Sequence, residues 1–388
     1  MENPILDALL SIDKDLFLKL HESITADEVF RYLKPIADSC SPYQTATWTR
    51  ALEIENLLNI DGTADKENFK MIRNFQNTGN SVILIGKNET KKQVWLLAHL
   101  DQISYLIEDY IDGKFQLMPI CYHLMEPGER AGVVVAYNFD KNIYEVVDHG
   151  KILTTDAKEV LYEPGENKQL HTGMRVCFES HLDWNKSNNE VVGSLDDAAG
   201  VAAIVLAAKF LANYDIEILV GLTDEEEGVA GTGNQTIGLG GSRLFRYFDQ
   251  PELVIASDIH EAADMYGGGA PYNMKPGDGA SFAEKSAKGM GAVIPPHLYE
   301  LMLRMSRELE SKDVKMKENL GGYISRTEDI NAMYRLPNIA LLGFLGKNRH
   351  FQKGFESANI LDLVNLAKSI VCFVLLTETK IWKDLGKI

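Results

Sequence analysis

Cysteine is scarce in this chain, and the four present, Cys40, Cys121, Cys177 and Cys372, never approach Cys-x-x-Cys spacing. That scatter argues against a disulfide framework or a cysteine-type zinc site, and reads as free thiols in a reducing cytoplasm. Positive charge is in deficit: 39 Lys and Arg face 56 Asp and Glu, giving a net charge of −17 with no basic stripe against the average. Nucleic acid and anionic membrane surfaces are thereby poor partners. No uninterrupted apolar run approaches the ~18 residues of a membrane-spanning helix. The first twenty residues, MENPILDALLSIDKDLFLKL, carry acids inside their apolar pattern and lack a basic leader, so a signal peptide is not expected. There is no internal repeat.

What is present is a chain of 388 residues, longer than one typical core, which predicts one large domain with an insert, or two domains. Apolar periodicity predicts helices through residues 1–60, including Ala26–Ala37 and Thr45–Leu58. Val82–Ile85 and Val94–Ala98 then read as strands. From Tyr105 to about Val191 the pattern is short β runs separated by turn-prone pairs such as Asp112-Gly113 and Pro164-Gly165. After Gly193, strands and helices alternate: Asp197–Asn213 is an Ala-rich helix, Ile216–Leu222 and Leu253–Ser257 are strands, Pro296–Leu309 is a helix, Ile339–Phe344 a strand and Asn359–Leu376 a closing helix. The expectation is an α/β fold with a mixed, mostly parallel sheet sandwiched by helices and an inserted small β-barrel domain. Residues 1–104 and 192–388 would form the main domain and 105–191 the insert.

Several apolar β runs end in residues that can hold a metal. Val94–Ala98 runs into His99 and Asp101, Ile216–Leu222 into Asp224–Glu227, Leu253–Ser257 into Asp258 and His260, and Ile339–Phe344 leads to His350. Sites in open α/β sheets form outside the carboxyl ends of the strands. Each residue has a plain structural alternative: His99 as a bonded core histidine, Asp196-Asp197 as a helix cap, Asp258 in an Asx turn, His350 on the surface. Their common placement argues against all of these holding together.

Mixed His and carboxylate donors without thiolate suit Zn²⁺, Co²⁺ or Mn²⁺. Two ions roughly 3.5–4 Å apart need a shared carboxylate and further ligands on each. His99, Asp196, Glu226, Asp258 and His350 supply enough for two divalent ions per chain, Zn²⁺ foremost. Asp101 is placed to accept the second imidazole N–H of His99 and fix its tautomer. One acid of the Glu run must stay off the metal as general base. From charge alone, Glu225 with Glu226 and Glu226 with Glu227 are both open as the base and ligand.

The constellation HLD (99–101), LDDAAG (195–200), EEEG (225–228), SDIH (257–260) and RH (349–350) resembles the dinuclear-metal aminopeptidases, the M42 glutamyl/leucyl aminopeptidase family most closely. The β-rich insert, GGGAP (267–271) and NTGNSVILIGK (77–87) are also similar to that family. The resemblance implies an aminopeptidase acting on short peptides, with Asp196 bridging two ions held also by His99, Glu226, Asp258 and His350. Its Glu-Glu-x-Gly pattern selects Glu225 as base and Glu226 as ligand. It implies a homo-oligomer, from dimer to dodecamer, assembled through the insert. The sequence departs from the family at Gln102, at Ala198, in GGYISRTEDI (321–330) and in its longer N-terminal region. A deacylase using the same two-metal chemistry and a non-catalytic homologue are the alternatives; the β-rich insert argues against the first and the full ligand set against the second. His123, His149, His181 and His260 are read as structural or surface residues.

Overall fold

A computed structural model describes residues 3–166, 169–228, 239–261, 273–286, 291–320, 332 and 335–385. The GGGAP and GGYISRTEDI motifs, with Gly231 and Gly233, lie outside the described residues.

Four buried apolar runs build the centre of the main sheet. They are Val94–His99 (β3), Ile218–Thr223 (β12), Leu253–Glu261 (β13) and Ile339–Lys347 (β16), numbering strands in chain order. Among the described residues the sheet has eleven strands. Phe69–Ile72 (β1) and Ser81–Ile85 (β2) extend it beyond β12, while Glu356–Asn359 (β17), Glu190–Gly193 (β11) and Asp183–Asn185 (β10) extend it beyond β16. Ala280–Ala283 (β14) also pairs with β16, and Met316–Glu318 (β15) with β14. The central order is β12-β3-β13-β16, all parallel. Antiparallel pairs flank it on both sides, so the parallel character belongs to the centre of a mixed sheet. Every residue of β3, β12 and β13 is buried, which is why these strands read as continuous apolar runs rather than alternating ones.

Helix Ala198–Leu211 packs on β3, β12 and β13 and against helix Ile360–Leu376. Both are apolar on nearly every side because both sit inside the core. Asp197 caps the first of them, its side chain accepting from Gly200 N; a Cβ at Gly200 would collide with that carboxylate, so glycine is required there. No helix among the described residues is long and apolar enough to cross a membrane.

Between β3 and β10 the chain leaves the sheet. Tyr105–Ile111 (β4), Lys114–Pro119 (β5), Gly128–Asn138 (β6), Ile143–Thr154 (β7), Val160–Glu163 (β8) and Arg175–Phe178 (β9) close a barrel in the order β4-β5-β8-β7-β6-β9. Its core is Ile107, Phe115, Leu117, Val134, Ile152, Tyr162 and Val176. The barrel ends at Phe178, earlier than the boundary at 191 expected from sequence, because β10 pairs with β11 and β11 with β17 on the large sheet.

Arg50 ties the N-terminal helices to the sheet. It is fully buried in helix Arg50–Ile60, and donates from Nε to Ile36 O, from Nη1 to Leu100 O and from Nη2 to Ser194 Oγ. These acceptors belong to three separate segments, and two are buried carbonyls that lose their partner if the guanidinium goes. Arg50→Met is expected to lower the unfolding free energy by about 3 kcal/mol, from the cost of unsatisfied buried acceptors. Urea titration of variant and parent measures this, and an unchanged midpoint would contradict it.

Candidate metal centre

The parallel register brings the polar residues together. Thr223 lies opposite His99 across β12 and β3, so the acids that follow Thr223 emerge beside the imidazole. Strand β13 runs on past Ser257 to Glu261, placing Asp258 within the strand, opposite Gly343 of β16. Asp196 enters from the turn before helix Ala198–Leu211, joined to Asp197 by a cis peptide bond.

Asp196 sits between the two histidines. Its Oδ1 lies 3.2 Å from His99 Nε2 and its Oδ2 3.7 Å from His350 Nε2. Asp258 Oδ1 is 3.9 Å and Glu226 Oε2 3.8 Å from His99 Nε2, while Glu227 Oε1 is 3.4 Å from His350 Nε2. Two donor groups result among the described residues: His99, Asp196 and Asp258 form one, and Cys121, Glu227 and His350 the other. The donors fit divalent ions. Asp196 Oδ2 and Asp258 Oδ2 are buried without a hydrogen-bond partner, a costly arrangement unless a cation compensates.

The acid run resolves by its partners. Asp224 accepts from the backbone N–H groups of Gln44, Ala46 and Glu225, and takes no part in the centre. Glu225, in a left-handed conformation at φ 63°, turns its carboxylate onto Arg243, 2.7 and 2.9 Å from Nη1 and Nη2, and accepts from Tyr43 Oη at 3.3 Å. Glu226 and Glu227 are the pair that faces the histidines. The sequence expectation has Glu225 as base and Glu226 as ligand; in this geometry Glu225 pairs with Arg243, while Glu226 and Glu227 stand beside His99 and His350. The bidentate contact from Arg243 holds the Glu225 carboxylate in place.

Asp101 meets His99 through its main chain as well as from its carboxylate. His99 Nδ1 bonds the backbone carbonyl of Asp101 at 2.9 Å, whereas the Asp101 carboxylate lies 3.7 Å off. That carboxylate instead accepts from Glu226 N and Glu227 N, both at 3.1 Å. It fixes the acid loop, and its main chain fixes the imidazole.

Glu356, which sequence reasoning passed over, accepts from Leu195 N, Asp196 N and His350 N at 2.6, 2.9 and 2.9 Å. It binds the Asp196 turn to the His350 turn. Arg349 lies among the acids, with Nε 2.8 Å from Glu261 Oε1 and Nη1 2.8 Å from His350 Nε2. No local pattern marks Glu356, whereas Arg349 stood in the RH motif as a mere neighbour. Away from the centre, His260 bonds Ser281 Oγ, His123 bonds Tyr105 and Thr154, and the exposed His149 and His181 face Glu179.

The fold and this cluster define an α/β protein with a candidate carboxylate-histidine metal centre. Residues 153–366, more than half of the chain, match the M42 glutamyl aminopeptidase family. The chain belongs to that family and is a hydrolase, a metal-dependent peptidase. Solved structures share the fold. An aminopeptidase from the archaeon Desulfurococcus kamchatkensis is 15% identical with a TM-score of 0.69, covering 94% of this chain and 99% of that one. A TET aminopeptidase from a marine-sediment archaeon of the Thaumarchaeota is 11% identical with a TM-score of 0.69, covering 90% and 96%. A TET peptidase of Pyrococcus horikoshii, which can assemble into a tetrahedron or a large octahedral shell, is 17% identical with a TM-score of 0.64, covering 89% and 99%.

Crowding shifts the protonation of the centre. Burial pushes Glu226 well above the ordinary carboxylate range, with Glu227, Asp258 and Asp101 adding to it against His99. Burial and Asp196 push both Asp258 and Glu356 up to about 7. Burial opposes charge on His99 and His350, yet the carboxylates around them raise both. Asp196 and Glu227 are held below their ordinary values, the histidines outweighing burial. The raised carboxyls bind more protons folded than unfolded between about pH 4 and 7, so stability falls as pH rises through that window. The raised histidines contribute fully below about pH 6.5 and lose their contribution above it. The two depressed acids matter only below about pH 4.5. Chelator-treated protein should melt lower at pH 8 than at pH 6, with Zn²⁺ restoring it at pH 8. A melting temperature that rises from pH 6 to 8 in chelator would contradict this account.

Proposed function

We propose that this chain is an aminopeptidase removing N-terminal residues from short peptides through two divalent ions bridged by Asp196, Zn²⁺ foremost, with Co²⁺ or Mn²⁺ able to substitute. The observation that carries the reading is the Asp196 carboxylate, one oxygen toward each histidine. His99 and Asp258 would complete the first ion's ligands, and Glu227 and His350 the second's. When bound, the ions supply Lewis acidity toward a peptide carbonyl and lower the pKa of water. Glu226 is the general base. It lies 3.8 Å from His99 Nε2, held by the bond from its own N–H to Asp101. Its carboxylate takes the proton of the attacking water and returns it to the leaving amine nitrogen. The raised pKa brings that exchange toward neutral pH. Glu225, paired with Arg243, positions the loop.

Assays on aminoacyl-arylamides, with N-acetylated analogues as deacylase controls, test the reading. Glu226→Gln should lower kcat about a hundredfold or more, the usual scale for a general base, while metal content stays at two ions per chain. Glu225→Gln should retain most of the activity. If Glu225→Gln is dead with its metal intact and Glu226→Gln is active, the base is Glu225 and this assignment fails. Activity that survives exhaustive chelation removes the metal reading altogether.

Self-assembly is part of the proposal. Exposed large apolar side chains gather on the barrel, among them Tyr110, Ile111, Met118, Tyr137, Phe139, Ile143 and Val146. Such patches mark contact surfaces, and the tetrahedral and octahedral shells of the Pyrococcus horikoshii peptidase supply a precedent. Size-exclusion chromatography with light scattering should return a multiple of the 43.3 kDa chain. A single-chain mass at micromolar concentration would remove the assembly reading.

A further inference from the structure

The loop from Ile120 to Pro127, between β5 and β6, crosses the metal centre and is pinned there at three points. Ile120 N donates to Ser104 O at 2.9 Å, His350 Nδ1 donates to Tyr122 O at 2.7 Å, and Glu126 N donates to Gln352 O at 2.8 Å. Between the first two pins stands Cys121, whose Sγ falls within 4.8 Å of both a Glu227 carboxylate oxygen and a His350 ring nitrogen, as those two do of each other. The bond to Tyr122 O fixes the His350 proton on Nδ1. The Nε2 lone pair is then directed at Glu227 and Asp196, and accepts from Arg349 Nη1. Asp196 Oδ2, 3.7 Å from that nitrogen and buried without a hydrogen-bond partner, completes the convergence.

We propose that Cys121 is a thiolate ligand of the second ion, delivered by the barrel to a centre otherwise built from His and carboxylate. This rests on the two-ion reading above. Ligation replaces the S–H bond with a sulfur–metal bond and releases the proton to solvent. His350 Nε2, which now accepts from Arg349 Nη1, would be free to bind the ion, with the Arg349 guanidinium retaining its bond to Glu261. His350 Nε2, Glu227 and Cys121 Sγ, with Asp196 3.7 Å from His350, would hold the second ion, a donor set that suits Zn²⁺. The first ion, with His99, Asp196 and Asp258, keeps an open position beside Glu226. The two sites are thereby unequal: the second favours thiophilic Zn²⁺, Co²⁺ or Cd²⁺ over Mn²⁺, and the first is where the chemistry occurs.

Reconstitution of the whole protein with Co²⁺ tests this by absorption, independently of activity. Two Co²⁺ per chain with a thiolate-to-cobalt charge-transfer band in the near ultraviolet is the expected result. The band should vanish in Cys121→Ser and persist in Cys40→Ser. Zn²⁺ affinity at one of the two sites should fall about ten- to a hundredfold in Cys121→Ser, no less than loss of an outer-shell partner costs. Two Co²⁺ without the band, or a band unchanged in Cys121→Ser, overturns the Cys121 assignment and leaves the two-ion reading standing. Fewer than two Co²⁺ per chain overturns both. Should Cys121→Ser fail to fold, maleimide labelling of the unaltered protein gives the same answer by peptide mass mapping. Zn²⁺ is expected to protect Cys121 from the label, and equal labelling of Cys121 with and without Zn²⁺ overturns the proposal.

Discussion

The structure is organised by a concentration of buried negative charge that the fold must hold in place. Asp101, Asp196, Asp197, Asp224, Glu225, Glu226, Glu227, Asp258, Glu261 and Glu356 are all buried, and nearly all lie at or beyond the carboxyl ends of the central strands. Each would be prohibitively costly if left bare. The fold answers locally. Backbone N–H groups take Asp224, Asp101 and Glu356; guanidinium groups take Glu225 and Glu261; two imidazoles stand between Asp196, Glu227 and their neighbours. Among the oxygens left over are Asp196 Oδ2 and Asp258 Oδ2, beside the histidines, where a divalent ion is the natural counter-charge. Binding and folding share one electrostatic problem.

The same reasoning explains why four consecutive acids have four different environments. The run sits where a parallel strand ends, so its backbone turns abruptly and successive side chains diverge. The left-handed conformation at Glu225 marks the turn. Asp224 folds back onto the segment before helix Arg50–Ile60, Glu225 points out to Arg243, and the two N–H groups that follow are clasped by one carboxylate, that of Asp101. Asp101 thus sets which two acids reach the histidines, a steering role exerted through the main chain.

The fold class was legible because the physics behind it is local. Continuous apolar runs such as Val94–His99 signal strands covered on both faces, and the Ala-rich run beginning at Ala198 signals a buried helix. The convergence of His99, Asp196, Asp258 and His350 was legible for a related reason: parallel strands align their ends, so residues that follow separate apolar runs arrive together. What was not legible depends on partners far along the chain. The partners of the acid run, Arg243 and Asp101, come from distant segments, and Glu356 reveals its part only when β17 pairs with β11 and sets it beside Asp196. Cys121 looked like one of four scattered thiols because nothing in its neighbourhood resembles a metal motif. Loop placement over another domain's strand ends has no sequence period to betray it.

That last point bears on what the barrel is for. It is joined to the sheet by more than its two connecting segments. Phe351, next to His350, belongs to the barrel's apolar core and stacks on Phe178 of β9 with ring centroids 4.4 Å apart. Tyr122 orients His350 from the other side, and Glu126 bonds to Gln352. The turn carrying His350 is therefore clamped between Glu356, a main-sheet carboxylate, and the barrel wall. A displacement of the barrel would have to carry Phe351 with it and rotate the imidazole. If the barrel mediates assembly, contacts between chains would act on the same element that sets the position of one metal ligand. Assembly and metal occupancy would then be linked through Phe351 and Tyr122, and the insert would be a structural part of the centre it covers.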